Sequence, residues 1–89
     1  MEIAYRKLFL KDMKKLKNLP IYGNIFNLVF ETIPAAKSIA DISNLKHMKG
    51  HVNRYRIRIG NYRIGVESYE NHIEMVRVLH RNEIYRYFP

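Results

Sequence analysis

The sequence predicts an α+β fold, an N-terminal helical hairpin packed on one face of a small, mainly antiparallel sheet and closed by a short C-terminal helical turn. Three observations carry this expectation. Apolar residues recur every three to four positions in the first third of the chain and alternate with polar ones in the last third. A length of 89 residues with three prolines and four glycines leaves room for one core, so residues 1–89 are expected to form a single domain.

Taken in order, residues 2–5 read as a short opening strand. From Lys7 onward Phe9, Met13 and Leu16 share one helical face, while Lys7, Lys11, Lys14 and Lys15 lie away from it. Asn18-Leu19-Pro20 interrupts that helix, and Pro20 suits the first turn of a second one, where its missing N–H does no harm. The second helix is expected to run to about Ile33 on a stripe of Ile21, Tyr22, Ile25, Phe26, Val29 and Ile33, with Pro34 near its end. Two helices joined this tightly form an αα-hairpin. Residues 34–53 weaken to a connection with room for one short strand and the basic loop Lys46-His47-Met48-Lys49-Gly50-His51.

Residues 54–59 then alternate strictly, with Tyr55, Ile57 and Ile59 on one side and Arg54, Arg56 and Arg58 on the other. Gly60-Asn61 supplies a tight hairpin turn. Residues 62–69 return with Tyr62, Ile64 and Val66 on one face and Arg63 opposite. After a turn at Glu70-Asn71, residues 72–81 make a third strand. Its Val76 and Val78 are read onto one face and Met75, Arg77, Leu79 and Arg81 onto the other, and hydrophobicity on both sides gives it an interior place. Residues 82–87 form the closing helical turn.

Sixteen Lys plus Arg against eight Asp plus Glu give a formal charge of +8, which makes a polyanion the first partner to consider. The cations differ by region: residues 1–50 carry eight Lys and one Arg, residues 51–89 seven Arg and no Lys. Arginine holds phosphate with a planar fork and stacks on bases, so the C-terminal half is the better site candidate. The first residues lack an apolar stretch of signal-peptide length, and no run approaches the roughly 20 apolar residues that cross a bilayer. The chain contains no cysteine, which excludes disulfides, thiol catalysis and thiolate zinc sites. The expectation is a cytoplasmic protein with no membrane partner. No cofactor or metal is expected either: Gly50 separates His47 from His51 with no carboxylate beside them, and Gly60 and Gly65 lack the Lys-Ser/Thr ending of a phosphate loop.

With the helices on one face of the sheet, Arg56, Arg58, Arg63, Arg77 and Arg81 are expected to gather on the other, where their mutual repulsion calls for an anion. Tyr62, Tyr69 and Tyr85 are considered as stacking surfaces for bases, although Tyr55 and Tyr62 read better as core. Lys46, His47 and Lys49 are candidates for contact with an RNA backbone, which a basic solvent loop explains equally well, and Lys46, Lys49 and Arg77 are taken as the RNA-binding set.

The run Tyr55-Arg56-Ile57-Arg58-Ile59-Gly60-Asn61-Tyr62-Arg63-Ile64, followed by Val78-Leu79-His80-Arg81-Asn82-Glu83-Ile84-Tyr85-Arg86, resembles the C-terminal half of RelE/ParE superfamily toxins, and the order helix, helix, strands is similar along the rest of the chain. The resemblance implies a RelE-like fold and the toxin of a type II toxin-antitoxin pair. In the RelE branch it implies a ribosome-dependent endoribonuclease that cuts mRNA in the A site, with mRNA, ribosome and cognate antitoxin as partners. The alternative is a ParE-like inhibitor of DNA gyrase that cleaves nothing. On the RelE pattern Arg56 and Arg58 match the strand with two basic site residues, Tyr62-Arg63 opens the following strand, His80-Arg81 closes the last one, and Tyr85 matches the C-terminal tyrosine. Two departures stand out: Tyr85 follows Arg81 more closely than in some members, and Arg56 and Arg58 replace lysines, although arginine is a poor general base.

Cleavage of RNA by its own 2'-hydroxyl needs an activated hydroxyl, stabilisation of phosphorane charge and a proton for the departing 5'-oxygen. Arg63 and Arg81 are expected to hold the phosphate while Arg56 and Arg58 raise the local positive potential. His80, Tyr85 and Glu83 stay open as acid and base, and strand parity allows His80 to face the helices instead.

Overall fold

The computed structural model describes residues 1–88, among which five strands form one sheet in the order β1-β5-β4-β3-β2. β1 (Ile3–Tyr5) enters as an edge strand parallel to β5 (Ile73–His80), with Ile3 opposite Ile73 and Tyr5 opposite Met75. β2 (Leu45–His47), β3 (Arg54–Ile59), β4 (Tyr62–Ser68) and β5 pair antiparallel in sequence. The β3–β4 hairpin turns at Gly60 with φ +56°, a left-handed value that favours glycine.

α1 (Lys7–Lys15) forms where expected and buries Phe9 and Met13, with Leu16 just beyond. It also takes over an edge of the sheet. Beyond Met75, β5 has no strand on this side among the described residues, and Arg6 and α1 supply the missing partners: the Arg6 N–H donates to the Met75 carbonyl at 3.1 Å, and the Val78 N–H donates to Asp12 Oδ2 at 3.1 Å. A covered edge cannot template pairing with another chain.

The second helix departs from the sequence reading. α2 (Tyr22–Asn27) starts two residues after Pro20, which lies in the preceding turn, and Leu28–Thr32 is a π-helical turn that leads into α3 (Ile33–Ala35). Pro34 lies inside this run rather than ending it. Lacking an N–H and crowding the carbonyl one turn back, proline forces the helix to widen. The Ile33 N–H then reaches the Leu28 carbonyl, and the Val29 carbonyl, left without a helical donor, accepts from Tyr5 Oη at 2.6 Å. The stripe survives as Ile25, Val29 and Ile33, all buried, while Phe26 stays exposed.

The connection holds a 3-10 turn, Ile39–Asp41, before β2. The core between the helices and the sheet includes Phe9, Ile25, Val29, Ile33, Ile57, Ile64, Val66, Met75 and Val78. The reading of β5 is corrected here: a β-bulge at Gly65/Val66 shifts the register from Gly65↔Arg77 to Val66↔Met75, so parity changes within the strand. Met75 and Val78 face the helices, whereas Val76 belongs to a second cluster on the far face with Ile84 and Phe88. That cluster seats α4 (Ile84–Tyr87). Among the described residues no helix is long and apolar enough to cross a membrane.

Candidate functional site

The far face of β2, β3 and β4 carries the cations that β3 turns away from its core-facing Tyr55, Ile57 and Ile59. Register decides their neighbours. Arg58 lies opposite Arg63, and Arg56 lies between Lys46 on β2 and Gly65 on β4. The Gly60-Asn61 turn brings in two more anchors: Arg63 Nη1 donates to the Gly60 and Tyr62 carbonyls at 3.0 and 2.9 Å, and the Arg81 N–H donates to the Asn61 carbonyl at 2.8 Å. Arg63 and Arg81 thus root at one hairpin turn.

Burial, then repulsion from Arg56, Arg58 and Arg81, holds the Arg63 guanidinium below its ordinary pKa, with the Tyr85 phenol opposing them. Register and the shared turn set Arg58, Arg63 and Arg81 around one end of the β3–β4 hairpin, with Arg56 two residues along β3. Among the described residues no ion pair joins Arg56, Arg58, Arg63 or Arg81 to a carboxylate. Elsewhere the arginines are matched: Arg6 with Glu67 and Glu74, both at 2.7 Å, Arg54 with Glu67 at 3.3 Å and Arg77 with Asp12 at 2.8 Å. Like charges on one sheet face cost stability, so an anion seated among the four would relieve a strain that internal carboxylates relieve elsewhere.

Tyr85 reaches this face from α4, its ring half exposed. With Lys46, His47, Met48, Lys49 and Arg56 it lines a groove of about 290 Å³. Lys46 and Lys49 therefore share a groove with Arg56 and Tyr85. The turn that holds Tyr85 lies close to the sheet because residue 65 is glycine: a Cβ there would fall 2.5 Å from Phe88 Cγ.

Two expected members stand apart from the cluster. Arg77 donates through Nε and Nη2 to the two Asp12 oxygens at 2.8 and 3.0 Å, and Asp12 raises its pKa. Its charge is spent inside the fold. His80 pairs in register with Tyr62, meets that ring edge-on at 5.5 Å and lines a groove with Leu19, Pro20 and Ile21. It therefore shares the helix side of the sheet, half-exposed rather than buried, and Nδ1 accepts from the Asn82 N–H at 3.2 Å. Leu79, not His80, shares the face of Arg63. Glu83 turns to Arg86 at 3.7 Å.

Sequence reasoning overlooked Asp12 and Gly65. Asp12 stands with Phe9, Met13 and Leu16 at the i, i+3, i+4, i+7 positions of the buried face, so its burial was readable from spacing. A lone glycine inside a strand signals a bulge or a close approach, and Gly65 marks both. Among the described residues no three His, Asp or Glu side chains gather as metal ligands.

No family model matches the chain. A curated relative, Toxin RelE3 of Methanocaldococcus jannaschii, is 43% identical over 93 aligned residues, covering all of both chains. Among solved structures, a chain of the RelB-RelE antitoxin-toxin complex from Methanococcus jannaschii matches with a TM-score of 0.75 at 40% identity, over 97% of this chain and 99% of that one. A chain of the toxin-antitoxin complex RelBE2 from Mycobacterium tuberculosis matches with a TM-score of 0.69 over 90% and 96%, and at 18% identity supports the fold alone. The two relatives at 40% identity or more both carry the RelE name, and the gyrase-inhibitor alternative draws no support from them.

Proposed function

The chain belongs to the RelE family of toxins of toxin-antitoxin systems, and on that premise we propose that it is a ribosome-dependent endoribonuclease that inhibits translation by cleaving mRNA in the A site. The observation that carries the reading is the uncompensated cluster of Arg56, Arg58, Arg63 and Arg81 beside Tyr85.

In the reaction the 2'-hydroxyl oxygen forms a bond to the adjacent phosphorus while the bond from phosphorus to the 5'-oxygen breaks. The hydroxyl proton leaves, and a proton reaches the departing oxygen. The protein's main task is the charge that accumulates between these events. Arg63, oriented by the Gly60 and Tyr62 carbonyls, and Arg81 grip the scissile phosphate. Arg56 and Arg58 lower the cost of the alkoxide through their field. Lys46 and Lys49 lead the flanking strand along the groove, and Arg77, already paired with Asp12, takes no part in binding RNA. Tyr85 stacks on a base or moves a proton. His80, on the other side of the sheet, contacts neither phosphate nor nucleophile.

The partner in the resting state is an antitoxin whose acidic, amphipathic segment covers this face, since a chain of +8 calls for complementary charge. Ribosome-dependent cleavage by Arg63→Ala and Arg81→Ala tests the site. Each should lose about 10²-fold or more in rate, and undiminished cleavage in both removes the site.

A further inference from the structure

α4 is four residues long and has no side-chain cap, far short of the roughly 12–15 residues at which a helix holds itself. Yet it carries Tyr85. Ile84 and Phe88, one turn apart and both buried, fix its depth on the sheet. Two contacts along one line set which face meets the sheet but leave the helix free to rock about that line. At 3.6 residues per turn, Tyr85 and Tyr87 project about 200° apart, on opposite flanks of that buried seam. Whatever grips Tyr87 therefore aims Tyr85.

Two arginines provide that grip. The Arg77 guanidinium lies over the Tyr87 ring at 5.3 Å from its centroid, and the Arg54 guanidinium over Phe88 at 5.4 Å. Both arginines are held by buried carboxylates: Asp12 takes Arg77 through two hydrogen bonds, and Glu67 pairs with Arg54. An arginine already pinned by a carboxylate has little freedom left to lose when it stacks on a ring. We propose that Arg77 and Arg54 are positioning residues, which hold α4 against that rocking and so place Tyr85 over the groove of Lys46, Lys49 and Arg56. The functional half of this inference rests on the ribonuclease reading. It assigns a purpose to the two far-face arginines whose charge carboxylates offset, and it runs α1, through Asp12, into the alignment of the site.

Tyr87 offers the cleanest test, because its ring is half exposed and its loss leaves the core intact. In the full chain, amide exchange at residues 84–88 should quicken about tenfold in Tyr87→Leu, remain at the wild-type rate in Tyr87→Phe, and leave β4 and β5 protected in both. Arg77→Leu combined with Asp12→Asn, which removes both charges and keeps an acceptor for the Val78 N–H, should quicken the same amides. On ribosomes programmed with saturating mRNA, Tyr87→Leu should cleave about tenfold more slowly while its affinity for RNA bearing a 2'-deoxy group at the cleavage position stays within about twofold. Tyr87→Phe should behave as wild type in both. Wild-type exchange at 84–88 in Tyr87→Leu would overturn the proposal, as would equal impairment of the Leu and Phe variants. Failure of the wild-type protein to cleave any mRNA would instead strike the ribonuclease reading, with exchange still deciding how α4 is held.

Discussion

Asp12 is 3% exposed on a helix otherwise studded with lysine, and it meets two needs at once: the charge of Arg77 and the unpaired Val78 N–H of β5. Removing one partner of a buried pair leaves the other charge without compensation, so Asp12→Ala should cost about 3–5 kcal/mol. The urea midpoint should fall with the slope of the transition unchanged. The same scale shows where sequence reading reached and where it stopped. Arg56, Arg58 and Arg63 lie on the face that alternation assigns to them, because β3 and the start of β4 are regular. Arg77 lies on the expected face as well, but the pairing of its charge is not legible in the sequence: its partner sits 65 positions away on α1, and no local pattern in β5 points there. The question about His80 that parity left open is answered by its register with Tyr62.

At the scale of elements, the short edge strand β1 owes its hold to more than its ladder. Arg6, at the β1–α1 junction, donates to Glu67 and Glu74, and Glu74 also meets His72 at 2.8 Å. His72 first, then Arg6, holds the Glu74 carboxyl below its usual range. A carboxyl depressed in the folded state stabilises the fold above its unfolded pKa, and this contribution disappears as pH falls through the lower folded value. Glu74→Gln should therefore lower the urea midpoint at neutral pH relative to wild type, and the difference should close on acidification below the reference value of 4.5. A gap that persists in acid would point to packing rather than charge. Most elements were legible, from the opening strand to the closing turn, since each has its own periodicity or punctuation; the 3-10 turn at Ile39–Asp41 was not, because residues 34–53 carry only a weak pattern. Two irregularities were not legible either. The π-helical turn depends on Tyr5 reaching across to the Val29 carbonyl, and the bulge that separates Val76 from Val78 depends on pairing with β4; both are settled by tertiary partners.

Across the whole molecule the charge divides into matched and unmatched sets, and salt should tell them apart. Each phosphate neutralised on a single strand contributes about 0.7 to the slope of log affinity against log salt. For non-cleavable RNA, Arg58→Gln and Arg63→Gln should each flatten that slope by about 0.7, whereas Arg6→Gln, whose cation already faces Glu67 and Glu74, should leave it unchanged. Equal effects from all three would mean that binding reads net charge alone. Chain order adds a temporal constraint. β1 occupies an edge and pairs only with β5, while Arg81 and Tyr85 follow β5. During vectorial synthesis the first strand therefore waits unpaired until Ile73–His80 has emerged. The polypeptide begins as an unarmed thread, and its toxic face closes only after the second half of the fold has followed the first.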